Sequence, residues 1–258
     1  MKKILHKSAN SIHYNKEAQT YDSFNEESSR TINTFLEKLF KKHKIKTILD
    51  LTCGTGLQVF WLQKKGFEIT GFDISPKMIT LAKQKSKKDN LKIKFSKGDM
   101  RITQAGKFDA VITIFNSIGH LTKQDFKKTI KNIHKNLETT GLYVFDIFNL
   151  EYLLERDNIT KLTIDWLKKS NNITSREIQY STIDSDGVLA SYDIYHEQEG
   201  NKQPKISHAF QTLQVYNKSQ LKELLESNGF KVIKQCNMDG SRFYETKTER
   251  IVTIAKKI

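Results

Sequence analysis

Residues Thr47-Ile48-Leu49-Asp50-Leu51 form a short apolar, β-branched run, and Gly54 and Gly56 follow it at once. Such a run is too short for a stable helix and reads as a buried strand that ends in a tight turn. It is the first of a series. A helical stretch with Leu57, Phe60, Trp61 and Leu62 on its apolar side is closed by Gly66, and Phe67 to Asp73 reads as a second strand. Ser75-Pro76 opens the next helix with a capping hydroxyl and a first-turn proline. Strands follow at Leu91 to Phe95, Phe108 to Phe115 and Gly141 to Phe148, with a helix over Thr122 to Leu137. Apolar strands alternating with helices require a parallel sheet covered on both faces.

The pattern changes after residue 160. Ile178 to Ser181 and Ala190 to His196 alternate apolar and polar residues around Asp184-Ser185-Asp186-Gly187, a hairpin turn. Phe210 to Tyr216 alternates in the same way. A helix over Ser219 to Ser227 and strands at Phe230 to Gln235 and Arg250 to Ala255 complete the chain. The expected organisation is an N-terminal helical, amphipathic segment over 1–46, a core over 47–159, an antiparallel insertion over 160–216, and a completion of the core sheet over 217–258.

The formal net charge is +14, which raises nucleic acid as a partner. Against it, only Arg30, Arg101, Arg156, Arg176, Arg242 and Arg250 among the 43 basic residues are arginine, the side chain that reads phosphates and bases bidentately. The lysines are spread over many helix faces, as a solvated surface is. Apolar runs stay far below the ~20 residues of a membrane span. The two cysteines, Cys53 and Cys236, give no disulfide framework, so a reducing cytoplasm is expected.

Open parallel sheets bind ligands beyond the carboxyl ends of their strands, and chemistry-bearing residues stand there in order. Gly54 and Gly56 let the first turn bring its backbone close to a ligand. A dinucleotide fingerprint needs a further glycine three residues on, where Val59 stands. Asp50 would repel a pyrophosphate but help hold an ammonium group, which favours S-adenosylmethionine over NAD. Asp73, 19 residues beyond Gly54, suits the two ribose hydroxyls. Asp99 and Met100 suit an adenine amino group and ring. Asn116 and His120 put polar groups after the fourth strand. Each has a plainer use: Asp73 as a helix cap, Asp99 as a turn acid, Asn116 and His120 as loop residues.

Ile48-Leu49-Asp50-Leu51-Thr52-Cys53-Gly54-Thr55-Gly56 resembles the first motif of class I S-adenosylmethionine-dependent methyltransferases, and Gly71-Phe72-Asp73-Ile74-Ser75-Pro76-Lys77-Met78 resembles the second. Ser29-Arg30-Thr31, Asn116-Ser117-Ile118-Gly119-His120-Leu121 and Phe145-Asp146-Ile147-Phe148-Asn149 are similar to segments of glycine, sarcosine and amino-sugar N-methyltransferases. The resemblance implies a Rossmann-like α/β fold with a mostly parallel seven-stranded sheet, helices on both faces, and a small antiparallel β insertion that shapes the acceptor pocket. It implies S-adenosylmethionine as cofactor and S-adenosylhomocysteine as product. The cofactor would lie against Asp50, Thr52, Gly54, Thr55, Gly56, Asp73, Ile74, Met78, Asp99, Met100, Ile114, Phe115 and Ser117. Arg30 would grip its carboxylate, and Tyr14, Tyr21 and Phe24 would form a lid over the methyl group.

The implied reaction is direct in-line transfer to the nitrogen of a small molecule, with Asn116 facing the acceptor and His120 or Tyr14 assisting removal of its proton. In glycine methyltransferases an arginine precedes the residue matching Asn149; here Phe148 stands there, which points to a more apolar or sugar-like acceptor. RNA methylation and non-catalytic cofactor binding are the alternatives. His196, Glu197 and Glu199 are too few and too strand-like for a metal site, so no metal is expected. No membrane partner is expected, and the protein is read as a monomer or homo-oligomer.

Overall fold

The computed structural model describes residues 3–11, 21–155, 162–170 and 172–258, with side chains left aside at 21–28 and 162–170. Seven strands form the central sheet: β1 (Thr47–Asp50), β2 (Glu68–Asp73), β3 (Lys94–Lys97), β4 (Phe108–Thr113), β5 (Leu137–Phe148), β10 (Phe230–Cys236) and β11 (Arg250–Lys257). Their order is β10-β11-β5-β4-β1-β2-β3. The pairs from β5 to β3 are parallel, and β11 runs antiparallel to both β5 and β10. The chain therefore reverses its direction of winding between β1 and β4, where sheets of this kind open a crevice.

Helices cover both faces, as the apolar strands require. One core unites α1 (Tyr21–Lys42), α2 (Leu57–Lys64) and α3 (Pro76–Lys88) through Ile32, Leu36, Phe40, Val59, Leu62 and Ile79. The opposite core joins α4 (Lys123–Asn136) and α6 (Lys218–Glu226) to the sheet through Phe126, Ile130, Ile133, Leu221 and Leu225. α4 shows why these segments are helical. Thr122 caps it by accepting the Asp125 N–H at 3.2 Å, and Phe126, Ile130 and Ile133 recur on one face at helical spacing. Each such fully buried side chain contributes roughly 1.5–3 kcal/mol. Among the described residues no helix is long and apolar enough to cross a membrane.

A second, antiparallel sheet holds β6 (Leu162–Ser170), β7 (Ile173–Ile183), β8 (Val188–Glu199) and β9 (Lys205–Gln214) in sequence order. Its base, Ile183, Leu189 and Leu213, packs on Phe148, Leu150, Tyr152 and Leu153 at the end of β5 and on the short α5 (Leu150–Glu155). Asp184 closes the predicted hairpin by accepting the Asp186 and Val188 N–H groups, both at 2.9 Å.

The mostly parallel seven-stranded sheet with an antiparallel insertion is as the sequence predicts. Four local expectations change. Residues 3–10 carry no helix. Their polar backbone is satisfied by distant partners instead: Ile4 N–H donates to Asp184 at 2.9 Å and Ala9 N–H to the His120 carbonyl at 2.9 Å. β3 starts at Lys94 rather than Leu91, because Asn90 is left-handed (φ 53°) and Leu91 N–H still closes the preceding helix on Ser86. β5 starts at Leu137 rather than Gly141, since a left-handed Thr140 (φ 66°) lets it pair across an irregularity. β9 lies earlier than Phe210–Tyr216, because Val215 and Tyr216 leave the sheet to bond Gly187 and bridge Asn149.

Candidate cofactor-binding cleft

A small cleft, partly open to solvent, lies beyond the carboxyl ends of β1 to β4. Leu51, Thr52 and Gly54 reach it from β1, Asp73, Ile74 and Met78 from β2, Gly98 to Arg101 from β3, and Ser117, His120 and Leu121 from the turn after β4. Ala9 closes one side.

The β1 turn is built around two acids. Asp50 is 1% exposed; its Oδ1 accepts the Thr52 N–H at 3.0 Å, and its Oδ2 is buried with no hydrogen-bond partner among the described residues. Burial pushes its carboxyl up to about 8, the Thr52 N–H works against that, and the nearby Asp73 charge adds to it. Asp73 Oδ2 accepts the Gly54 N–H at 2.9 Å and its Oδ1 accepts the Ser75 N–H at 2.8 Å, so this acid ties the glycine turn to the start of α3. Burial also raises the Asp73 carboxyl. Gly56 has φ 97°, and a Cβ there would lie 2.6 Å from the Phe60 ring. Only glycine fits without displacing that ring.

After β3, Asp99 is gripped by Arg101, with Nε at 2.9 Å and Nη2 at 2.6 Å. Arg101 Nη1 also donates to Asp125 at 2.7 Å, and Ser8 Oγ donates to the same carboxylate at 2.7 Å. These donors hold Asp125 at about 2, the Ser8 hydroxyl contributing most. The N-terminal segment is thereby fastened to the rim of the cleft.

After β4, Phe115 and Asn116 both adopt left-handed backbone (φ 62° and 57°). Asp146, fully buried on β5, accepts their N–H groups at 2.6 and 3.2 Å and the Arg250 Nη1 at 2.9 Å. Asn116 Oδ1 accepts the Phe148 N–H at 3.1 Å, and a Cβ on Gly119 would lie 2.7 Å from the Asn116 amide. This packing turns the 3₁₀ turn Ser117–His120 toward the cleft.

Residues 48–141 match the methyltransferase domain family. The chain is 32% identical over 125 residues to the glycine/sarcosine N-methyltransferase of Parasynechococcus marenigrum (strain WH8102), covering 47% of this chain and 44% of that one. It is 30% identical over 138 residues to the glycine N-methyltransferase of Oryctolagus cuniculus, covering 47% of each. The chain thus spans a little under half the length of these curated relatives. A crystal structure of an S-adenosylmethionine-dependent methyltransferase from Clostridium acetobutylicum ATCC 824 has the same fold, with a TM-score of 0.77 at 20% identity over 95% of this chain and 98% of that one. Residues 48–141 are thus similar to a methyltransferase domain, and the chain shares the fold of a solved S-adenosylmethionine-dependent methyltransferase.

The cofactor of the methyltransferases that this chain resembles is S-adenosylmethionine, and the residues present fit it. Asp73 and Asp99 reach the cleft as acceptors, and Met78 and Met100 supply apolar wall; behind the lining, the buried Asp50 Oδ2 lacks a partner among the described residues and has the chemistry to accept from an ammonium group. Of the methyltransferase residues expected from sequence, Thr52, Gly54, Asp73, Ile74, Met78, Asp99, Met100, Ser117 and His120 line one cleft. Asp50, Thr55, Gly56, Ile114 and Phe115 do not line it; Asp50 and Thr55 adjoin residues that do, and the Ile114 carbonyl accepts the Ser117 hydroxyl at 2.7 Å.

Three expectations need restating. Arg30 is exposed on α1 and outside the cleft lining. Asn116 is 3% exposed with its side chain oxygen on the Phe148 backbone, so its amide braces the turn. Tyr14 and the side chains of Tyr21 and Phe24 lie outside the described residues. Sequence reasoning passed over Gly98, Arg101, Leu51 and Ala9. Arg101 was detectable, being two residues past Asp99; Ala9 was not, since only folding brings it to His120.

Proposed function

We propose that this chain methylates the nitrogen of a small amine. The observation that carries the reading is the convergence of Gly54, Asp73, Asp99, Ser117 and His120 on one cleft at the carboxyl edge of the sheet. Relatives named for N-methylation support it. Besides the glycine and sarcosine enzymes, the dTDP-3-amino-3,4,6-trideoxy-alpha-D-glucopyranose N,N-dimethyltransferase of Streptomyces venezuelae is 26% identical over 162 residues.

Asp50 would hold the ammonium group of the cofactor, Asp73 its ribose, and Asp99 with Met100 its adenine. The remaining contacts fall to Thr52, Thr55, Ile74, Met78, Ile114, Phe115 and Ser117. When bound, S-adenosylmethionine supplies a methyl group activated by a positively charged sulfur. The chain's own contribution is alignment and exclusion of water. Fixing the acceptor nitrogen in line can lower the barrier by roughly 7–11 kcal/mol. Leu51, Ile74, Met78 and Leu121 make the cleft wall apolar, so a charge dispersed during transfer is not held back by water.

His120, on the cleft wall, takes the proton from the acceptor nitrogen, with Tyr14 as the second candidate. Asn116 acts by holding the turn that carries His120. Tyr21 and Phe24 belong to the lid, and the insertion over 160–216 shapes the acceptor pocket. We place the protein in the cytoplasm, where its two free, buried cysteines stay reduced.

Calorimetry with S-adenosylhomocysteine tests the cofactor site. Transfer of an isotope-labelled methyl group from S-adenosylmethionine to a panel of small amines tests the reaction. Label entering amines at nitrogen is the expected result; label entering RNA or only hydroxyl oxygens would overturn the reading.

A further inference from the structure

Phe148 argues from sequence against a charged acceptor, yet the fold lays a guanidinium on its ring. Arg250 opens β11 and is registered directly opposite Phe148, the last residue of β5. Its guanidinium carbon lies 4.5 Å from the centroid of the Phe148 ring. Its Nη1 donates to Asp146 at 2.9 Å, and Asp146 in turn accepts the Phe115 and Asn116 N–H groups. Arg250 is therefore one ion pair away from the turn whose next residue, Ser117, lines the cleft.

Three features make this side chain more than a structural brace. Its plane is fixed twice, by the ring and by the carboxylate, so little rotamer entropy is left to lose on binding. Only Nη1 is engaged among the described residues, and the side chain is 23% exposed, so Nε and Nη2 keep their hydrogen-bond capacity there. The Nε–Nη2 edge offers two parallel N–H groups, the spacing that suits two oxygens of a carboxylate or phosphate. The surroundings also favour an anion. Two backbone N–H groups share the Asp146 carboxylate with Arg250, and the apolar cluster of Leu150, Tyr152 and Leu153 packed with Phe148 limits screening of the charge by water.

We infer that Arg250 selects the acceptor: the amine this chain methylates carries an anionic group, carboxylate or phosphate, that seats on the free edge of the Arg250 guanidinium. This rests on the methyl-transfer reading above and adds the charge of the substrate to it. It also replaces the apolar or sugar-like preference drawn from Phe148 alone. The ring does not reject the anion; it orients the cation that holds it.

The test uses the full chain saturated with S-adenosylhomocysteine and three matched amine pairs: glycine and glycinamide, O-phosphoethanolamine and ethanolamine, glucosamine 6-phosphate and glucosamine. Calorimetric affinities are measured for the wild type, R250K and R250Q. The expected result is at least tenfold tighter binding of the anionic member in one or more pairs. R250Q abolishes that preference, and R250K, which keeps the charge and the Asp146 pair but loses the fork, retains only part of it. The pair that shows the preference tells carboxylate from phosphate.

Equal binding within all pairs, no binding of any anionic member, or a preference that survives R250Q overturns the inference. If R250Q does not fold, a preference undiminished in R250K overturns it. Failure of the wild type to bind S-adenosylhomocysteine is a separate outcome, which sinks the methyl-transfer reading itself.

Discussion

The two ends of the sheet's carboxyl edge are assembled differently. At the β1–β2–β3 end, each polar group of the cleft is held by close sequence neighbours: Asp50 by Thr52, Asp73 by Ser75, Asp99 by Arg101. Asp73 also reaches Gly54, from one strand end to the next. At the β4–β5–β11 end, the groups come from far apart. Arg250 meets Asp146 across 104 residues, and Asn149 donates to the Thr248 carbonyl across 99. The N-terminal segment is joined in the same way, His6 to Thr212 across 206 residues. The first region is a set of local turns. The second is a tertiary network that exists only once the sheet has closed, and it braces the turn carrying His120.

The comparison breaks most sharply at Asp146. Asp146→Ala removes the acceptor of two backbone N–H groups and leaves Arg250 without its counter-charge. It should cost roughly 3–5 kcal/mol in urea denaturation, while S-adenosylhomocysteine binding, set at the other end, changes less than threefold. His120→Ala should lower turnover on the best amine by about 10²–10⁴ with stability kept. Turnover unchanged across pH would remove its role in proton transfer. Asp73→Ala should combine a loss of roughly 2–3 kcal/mol in stability, from the stranded Gly54 and Ser75 N–H groups, with loss of measurable S-adenosylhomocysteine binding.

The Asp50 carboxyl gives a pH test of the local region. Its pKa is raised in the folded chain, so the native state binds more protons than the unfolded one between about 4 and 8. Stability of the free protein should therefore fall as pH rises through that window. An ammonium group favours the ionised carboxyl, so S-adenosylhomocysteine affinity should rise by about tenfold or more from pH 6 to pH 8. Asp50→Asn should flatten both profiles, and a pH-independent affinity in the wild type would remove Asp50 as the ammonium partner. The smallest effect belongs to the outer face of the insertion. Tyr192→Ser, at a side chain 52% exposed, should change stability by under ~0.5 kcal/mol and leave cofactor binding unaltered.

The same division explains what could be read in advance. Asp50, Gly54, Asp73 and Asp99 were legible because a strand end, a glycine and an acid lie within a few residues, and the parallel sheet places successive strand ends side by side. Asn116 was expected to face the acceptor, but its side-chain oxygen accepts the Phe148 N–H instead. Its left-handed backbone and its bond to Phe148 depend on β5 lying next to β4. Residues 3–10 looked like part of a helical N-terminus, because amphipathic composition does not reveal that Asp184 and His120 outcompete a local turn for the same N–H groups.

The sequence by itself determined the alternation of strands and helices, the glycine turn, the sequence of acids at strand ends and the hairpins of the insertion. These depend on interactions among near neighbours and on the periodicity of apolar residues, which a linear string records in full. Only the tertiary structure decided that Arg250 lies on Phe148 and that Asp146 holds both Arg250 and the turn after β4. Hydrogen bonds and ring contacts between residues a hundred positions apart carry no local pattern, and their partners are chosen by the register of β11 against β5.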